Sequence, residues 1–314
     1  MSDRKVRKAI IPAAGFGTRM YPATKGLKKE LLPIIDQDGR AKPIILAILE
    51  EAISAGIEEV GIVVQPGDRD LFHDLLKSPP KPELWSKLSA ENKQYSEYLM
   101  ALGDRLTILT QTEQEGFGHA VYCTRDWVDN QPFLLLLGDH VYTSAIESSC
   151  ARQMLDIYQQ NQTSVIGITV MKADVIQKAG CVGGTWHQDQ PQSILEITQI
   201  YEKPTLEYAR QHLRVPGMNE DEFLGVFGMY VLEPNIFELL ADEIDNNERF
   251  KGEFQLTTCL DKLRQQNNAI AKRSWREIAK HRRSLIAYLV QGQYYDIGMP
   301  LFYRQTMIDY YNHQ

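Results

Sequence analysis

Cysteine is scarce in this chain: four residues in 314, at positions 123, 150, 181 and 259. None forms a Cys-x-x-Cys pair, so neither a zinc ribbon nor a disulfide framework is indicated. The expectation is four reduced, buried, small apolar side chains. Long apolar runs are also missing. A bilayer-spanning helix needs roughly 18 apolar residues, and the longest runs, such as Ile44 to Leu49, are far shorter. Nor is there an excess of basic residues: 34 Lys and Arg stand against 41 Asp and Glu, a net charge of −7. Neutralising a nucleic-acid backbone takes clustered positive surface, so general nucleic-acid binding is excluded. The opening residues pass from charge straight into a short apolar run, with no cleavage-type segment. These absences point to a cytoplasmic chain with no membrane or nucleic-acid partner.

What is present is the composition of a globular protein, 43% apolar and 24% charged, which excludes a disordered chain. Short apolar runs alternate with helical patterns through the first half. Ala9 to Ala14, Val60 to Val64, Arg105 to Thr110 and Pro132 to Gly138 read as strands, and Pro43 to Ala55 as a helix with Gly56 past its end. Continuous apolar strands suit a parallel sheet covered on both faces. From Ser78 to Gly103 the rhythm breaks into a turn-rich SPPKP entry and a polar helical stretch, Glu83 to Leu102, an excursion from the sheet. After Ser164 come VIGITV, CVGGTW, ILEITQIYEKP and FLGVFGMYVL, which read as added, partly antiparallel strands. Helical patterns return at Pro234 to Ala241, Phe254 to Gln266 and the C-terminal end. The predicted fold class is α/β: a doubly wound, Rossmann-like, mostly parallel sheet with additional antiparallel strands. Residues 272–283, KRSWREIAKHRR, form the one strongly basic cluster, either a solvated helix face or a surface for an anionic partner.

The most informative stretch runs from Ile10 to Asp36. A strand leads into Ala13-Ala14-Gly15-Phe16-Gly17-Thr18-Arg19, a small-residue loop at the carboxyl end of a sheet strand, where ligands bind in open α/β sheets. Glycines there let backbone N–H groups approach phosphate oxygens. Arg19, Lys29 and Lys25 add cations suited to phosphates. Two common nucleotide loops are excluded: a GxGxxG fingerprint from Gly15 would need glycine where Met20 stands, and no GxxxxGK[ST] run exists.

The full string, Gly-x-Gly-Thr-Arg followed by Pro, Lys, Lys-Glu and Leu-Leu-Pro, resembles the sugar-nucleotide pyrophosphorylases. Among them it is most similar to those that join UTP to glucose 1-phosphate. The likeness continues in order through Gln111 with Gly116-Phe117-Gly118-His119-Ala120, then Leu137-Gly138-Asp139, Gly180 and Glu202-Lys203-Pro204. Val226-Phe227-Gly228-Met229-Tyr230, Gly252-Glu253-Phe254-Gln255-Leu256-Thr257 and Tyr295-Asp296-Ile297-Gly298 complete it. The resemblance implies one nucleotidyltransferase domain over 1–314. Its nucleotide-binding half is 1–163, with the excursion at 78–103; the sugar-binding half is 164–298 and a C-terminal helix spans 299–314. It also implies that UTP and glucose 1-phosphate give UDP-glucose and pyrophosphate, in a homodimer or homotetramer. Arg19, Lys29 and Lys203 are then the catalytic cations, and Asp139 and Asp296 the Mg²⁺ ligands. Ala13, Ala14, Gly15, Gly17, Thr18, Lys25, Glu30, Gln111 and Gly116 bind nucleotide; Gly180, Glu202, Val226 and Gly228 bind sugar.

Blander roles compete at several positions. Asp139 is also suited to a helix N-cap after its strand, Asp296 to a turn, and Glu202 with Lys203 to a surface turn. Glu30 contacts the base or merely pairs with a lysine. His119 reads as packing or a cap, and Tyr294 and Tyr295 as packing. The sequence departs from the family pattern at Gly26-Leu27-Lys28, which adds charge beside Lys29, and at Gly138 and His140, which flank Asp139. The same chemistry with dTTP or another sugar 1-phosphate, and a non-catalytic sugar-nucleotide sensor, are the alternatives.

Overall fold

A computed structural model of the chain describes residues 5–36, 38–187, 193–271 and 285–310. In chain order its strands are β1 (Lys8–Pro12), β2 (Pro33–Ile35), β3 (Ala41–Pro43), β4 (Glu59–Val64), β5 (Leu106–Thr110), β6 (Phe133–Leu136) and β7 (His140–Ser144). They continue with β8 (Ser164–Lys172), β9 (Gly180–Trp186), β10 (Ile194–Glu202), β11 (Glu222–Leu232), β12 (Leu285–Leu289) and β13 (Gly292–Asp296). Nine of these make one sheet in the order β5-β4-β1-β6-β11-β8-β12-β10-β9. β1, β4, β5 and β6 pair in parallel, as do β8 and β12. β10 and β11 run against their neighbours. Within this nine-stranded sheet the parallel strands of the first half lie where the apolar runs place them, and antiparallel ones enter only in the second half.

The side-chain alternation of β1 explains the two covered faces. Ala9 and Ile11 pack with Ile45, Ile48 and Leu49 of the helix Ile44–Ser54. Ile10, between them, packs with Val121, Leu240 and Leu263 from helices on the opposite face. Each isoleucine is fully buried, which contributes about 1.5–3 kcal/mol apiece. The helix Ile44–Ser54 starts after Pro43, and Gly56, at φ +97°, follows its end as expected.

Some boundaries differ. β1 stops at Pro12, because the chain turns away after Ala13, whose N–H donates to Val63 O at 2.7 Å. The single helix expected over 83–102 is two, Pro82–Trp85 and Ala90–Gly103, because Ser89 caps the second by accepting from the Asn92 N–H. The later helices are Ile236–Asp245 and Leu256–Ala271, and the last described one is Pro300–Asp309. Three cysteines are buried as expected; Cys123 is only half-buried, and none of the four is bonded to another. The basic segment 272–283 lies outside the described residues. Among the described residues no helix is long and apolar enough to cross a membrane.

A buried lysine fixes the hairpin that follows the glycine loop. Lys42 on β3 is 4% exposed, and its ammonium meets Asp36 at 2.6 Å, Asp38 at 2.8 Å and Glu50 at 2.9 Å. Removing it takes the counter-charge away from the buried Asp36 and the partly buried Glu50, a change that costs about 3–5 kcal/mol. Lys42→Met is therefore expected to lower unfolding free energy by about that amount in urea titration. Lys5→Met, which breaks only the exposed pair with Glu58, is expected to leave stability almost unchanged. Equal, small effects would show that the Lys42 cluster does not hold the hairpin.

Candidate active site

The loop after β1 is held open by its neighbours. Gln65 donates its amide to Ala14 O at 2.8 Å, and the Thr24 hydroxyl donates to Gly17 O at 3.0 Å. Arg19 then stands exposed at the lip, and the chain descends through a short turn, Lys29–Leu31, that carries Lys29 and Glu30 under the sheet edge. Lys28, the extra charge beside Lys29, is taken up by Asp68 at 2.6 Å.

From the other side, β7 and β13 form a two-stranded ladder in which Asp296 lies opposite His140. Asp139 precedes β7 directly, and its carbonyl accepts from the Ile297 N–H at 2.9 Å. The ladder therefore places Asp139 and Asp296 side by side. A Cβ built on Gly298 would stand 2.9 Å from Asp296 Oδ1, 3.0 Å from Asp139 Oδ2 and 3.5 Å from Arg19 Nη2. No helix starts at Asp139, so it caps nothing. Asp296 does close a turn, accepting from the Gly298 N–H at 2.6 Å, and still presents its carboxylate to the cleft.

Lys29 Nζ sits 2.5 Å from Asp139 Oδ2 and 3.6 Å from Glu30 Oε1. Burial works against the Lys29 charge, but the two carboxylates outweigh it and raise its pKa. Burial likewise opposes the Asp139 charge, and the Lys29 ammonium above all holds that carboxyl well below the usual range. Glu30 is different. It is fully buried, neither carboxyl oxygen has a hydrogen-bond partner, and burial pushes its pKa up to about 7 against the pull of Lys29.

The far wall is built around Glu202 at the end of β10. Its carboxylate accepts from the Thr257 hydroxyl at 2.9 Å and meets Lys203 Nζ at 3.0 Å. Lys203 adopts φ +51°, an uncommon backbone for a non-glycine residue and the kind of local strain that concentrates at functional sites. Gln111 is buried at the start of its loop, its side-chain amide directed to Gly116 O at 3.2 Å.

These walls enclose a cleft of about 770 Å³. Ala14, Gly15, Gly17, Thr18 and Arg19 line it from the loop, with Lys29, Glu30, Gln111 and Gly116 below. Asp139 and Asp296 stand at its middle, and Gly180, Glu202, Lys203 and Val226 at the far end. Three expected residues lie off the lining: Ala13 is spent on the sheet, Lys25 is exposed on an outer turn, and Gly228 sits behind His140. His119 packs, its Nδ1 within 3.0 Å of Glu113 O. Sequence reasoning gave no separate role to Thr257, although the motif containing it was visible. It also missed Lys178 and the wall formed by Phe302, Gln305 and Thr306 of the last helix, which no local pattern announces.

A glycine loop, clustered cations and paired carboxylates around one cleft fit phosphate chemistry, and comparison with known proteins agrees. The family model for nucleotidyl transferases matches residues 8–298. The chain belongs to the nucleotidyl transferase family. It is 32% identical over 316 residues to the UTP–glucose-1-phosphate uridylyltransferase of Staphylococcus epidermidis, covering 98% of this chain and 93% of that one. The protein of the same name from Bacillus subtilis is 32% identical over 308 residues, covering 98% and 91%. Among solved structures, a UDP-glucose pyrophosphorylase complexed with UDP-glucose superposes with a TM-score of 0.74 at 29% identity, covering 98% of this chain and all of that one.

Glu30 makes the electrostatics of the cleft measurable. Its folded pKa of about 7 lies above the ordinary 4.5, so the folded chain holds this proton more tightly than the unfolded chain does. Stability is therefore lost as pH rises from about 4.5 through about 7, by on the order of 3 kcal/mol. Glu30→Gln, which mimics the protonated acid, is expected to match wild type near pH 4.5 and to be more stable by up to that amount at pH 8. A difference independent of pH in paired denaturation curves would contradict the burial of an ionisable Glu30.

Proposed function

We propose that the chain condenses UTP with glucose 1-phosphate to give UDP-glucose and pyrophosphate. The observation that carries this reading is the convergence of Lys29, Arg19, Asp139 and Asp296 midway between the glycine loop and Glu202-Lys203. The relatives named for this reaction support the choice of substrates.

A phosphate oxygen of glucose 1-phosphate attacks the α-phosphorus of UTP, the bond to the β-phosphate oxygen breaks, and pyrophosphate leaves. The nucleophile is already anionic near neutral pH, since a phosphate monoester has a second pKa of about 6. No general base and no covalent enzyme intermediate are required. The difficulty is holding two polyanions in line, so positioning and charge neutralisation dominate. Arg19 holds the β- and γ-phosphates and then the departing pyrophosphate. Lys29 meets the reacting phosphates, and Lys203 neutralises the sugar phosphate. Glu202, steadied by Thr257, accepts hydrogen bonds from sugar hydroxyls. Gln111, Gly116, Ala14 and Gly15 receive the uracil.

Asp139 and Asp296 fit a magnesium ion. Among the described residues no cluster of three or more His, Cys, Asp or Glu side chains could cage a metal, and Mg²⁺ commonly takes only one or two carboxylates together with water and substrate phosphates. When bound, it supplies neutralisation of charge on the nucleotide phosphates. The same reading includes a cytoplasmic homo-oligomer, which light scattering across a concentration series tests.

A pyrophosphate-release assay with glucose 1-phosphate and UTP, dTTP, ATP, CTP or GTP is expected to show clear preference for UTP. Efficiency with dTTP equal to or above that with UTP would reject the base assignment. Asp139→Ala and Asp296→Ala are each expected to lower kcat at least about 100-fold, or ~2.7 kcal/mol. Together they should cost far less than the sum, because two ligands of one ion act as a unit. Near-normal turnover and Mg²⁺ dependence in either single variant would dismiss the paired carboxylates.

A further inference from the structure

Among the polar side chains of the cleft that the reaction above leaves unused, one is held rigidly on all sides. His140 opens β7, lines the cleft and is 9% exposed. Its ring is clamped. Tyr294 stacks on it with centroids 4.6 Å apart and planes 14° apart, and Tyr142 meets it edge-on at 6.3 Å. Behind the ring Gly228 has φ +88°, and a Cβ there would stand 2.4 Å from Nδ1, so a side chain at 228 would displace the imidazole. The Tyr142 hydroxyl donates to Gly228 O at 2.9 Å, which pins the clamp itself.

Nδ1 is sealed and has no hydrogen-bond partner. With Nδ1 closed off in this way, hydrogen bonding by the ring is left to Nε2. Nε2–H is then the polar edge that the ring offers to the cleft. Phosphate oxygens already have Arg19, Lys29 and Lys203 to claim them. A rigidly held imidazole N–H beside tyrosine rings and β11 suits a sugar hydroxyl, with aromatic surface for the C–H faces of the sugar.

We propose that His140 is a sugar-selecting residue whose Nε2–H donates to one hydroxyl of the sugar 1-phosphate. This rests on the reading of the cleft as a sugar-1-phosphate nucleotidyltransferase site and names a determinant of its sugar choice. A site built to hydrogen-bond a hydroxyl discriminates against the analogue that lacks it.

The test compares glucose 1-phosphate with its 2-, 3-, 4- and 6-deoxy analogues in wild type and His140→Leu. The variant is expected to lose about tenfold in kcat/KM for glucose 1-phosphate, the scale of one hydrogen bond. For one deoxy analogue alone it should equal wild type, while penalties at the other positions persist. A uniform loss across all analogues, or no loss, would overturn the proposal.

A second measurement does not depend on the variant's turnover. In wild type labelled with ¹⁵N-histidine, the Nε2 signal assigned by its absence in His140→Leu or His140→Asn should shift with glucose 1-phosphate and stay in place with inorganic phosphate. A shift with phosphate alone contradicts a hydroxyl contact. If wild type turns over a different sugar 1-phosphate, the glucose assignment falls and both measurements are read with that sugar. Failure of His140 to respond to any sugar 1-phosphate that is turned over overturns this proposal alone.

Discussion

An ammonium and a carboxylate meeting at 2.5 Å, Lys29 and Asp139, hold the site together. The pair joins two segments 110 residues apart in sequence, the turn that follows the glycine loop and the turn between β6 and β7. Buried charges of one sign are costly unless compensated, and here the compensation is mutual. Arg19 and Asp296 extend it into a cluster of two cations and two carboxylates. The charges of such a cluster offset one another, and every member is suited to a phosphate or to an ion that accompanies one.

That economy accounts for the rest of the cleft. In the proposed reaction the nucleophile arrives ionised, so the protein needs no activated serine, cysteine or histidine. It needs fixed positive charge and fixed distances. The sheet supplies the distances: β1 ends at the glycine loop, β9, β10 and β11 build the wall that carries Gly180, Glu202 and Val226, and the β7–β13 ladder carries the carboxylates between them. The reading and the fold thus ask for the same thing, rigid elements converging on one point.

Much of this was legible in the sequence because it is written in short range. The glycine loop, Glu202-Lys203-Pro204 and the two Asp-bearing turns are local strings, and apolar runs such as Phe133 to Leu136 announce buried strands. What was not legible depends on partners distant in sequence. That Asp296 falls opposite His140 follows from strand pairing, not spacing. Thr257 gains its meaning only from touching Glu202, 55 residues away, and Phe302 lines the cleft only because the last helix returns to it. His140 read as a departure from a pattern, since nothing local shows that Tyr294 and Gly228 hold its ring. The helix break before Ala90 was missed because the polar pattern continues across it, while the cap of Ser89 decides the matter.

The central claim is that the cleft acts by positioning and neutralisation alone, with the sugar phosphate attacking the α-phosphorus directly. The stereochemistry at that phosphorus tests it most directly. UTP bearing sulfur at one configuration of the α-phosphate is converted with glucose 1-phosphate, and the configuration of the thio-substituted UDP-glucose is determined. A single in-line displacement gives inversion, which is the result expected here. Retention would mean two displacements through a nucleotidyl-enzyme intermediate, and would contradict an active site built without a nucleophile.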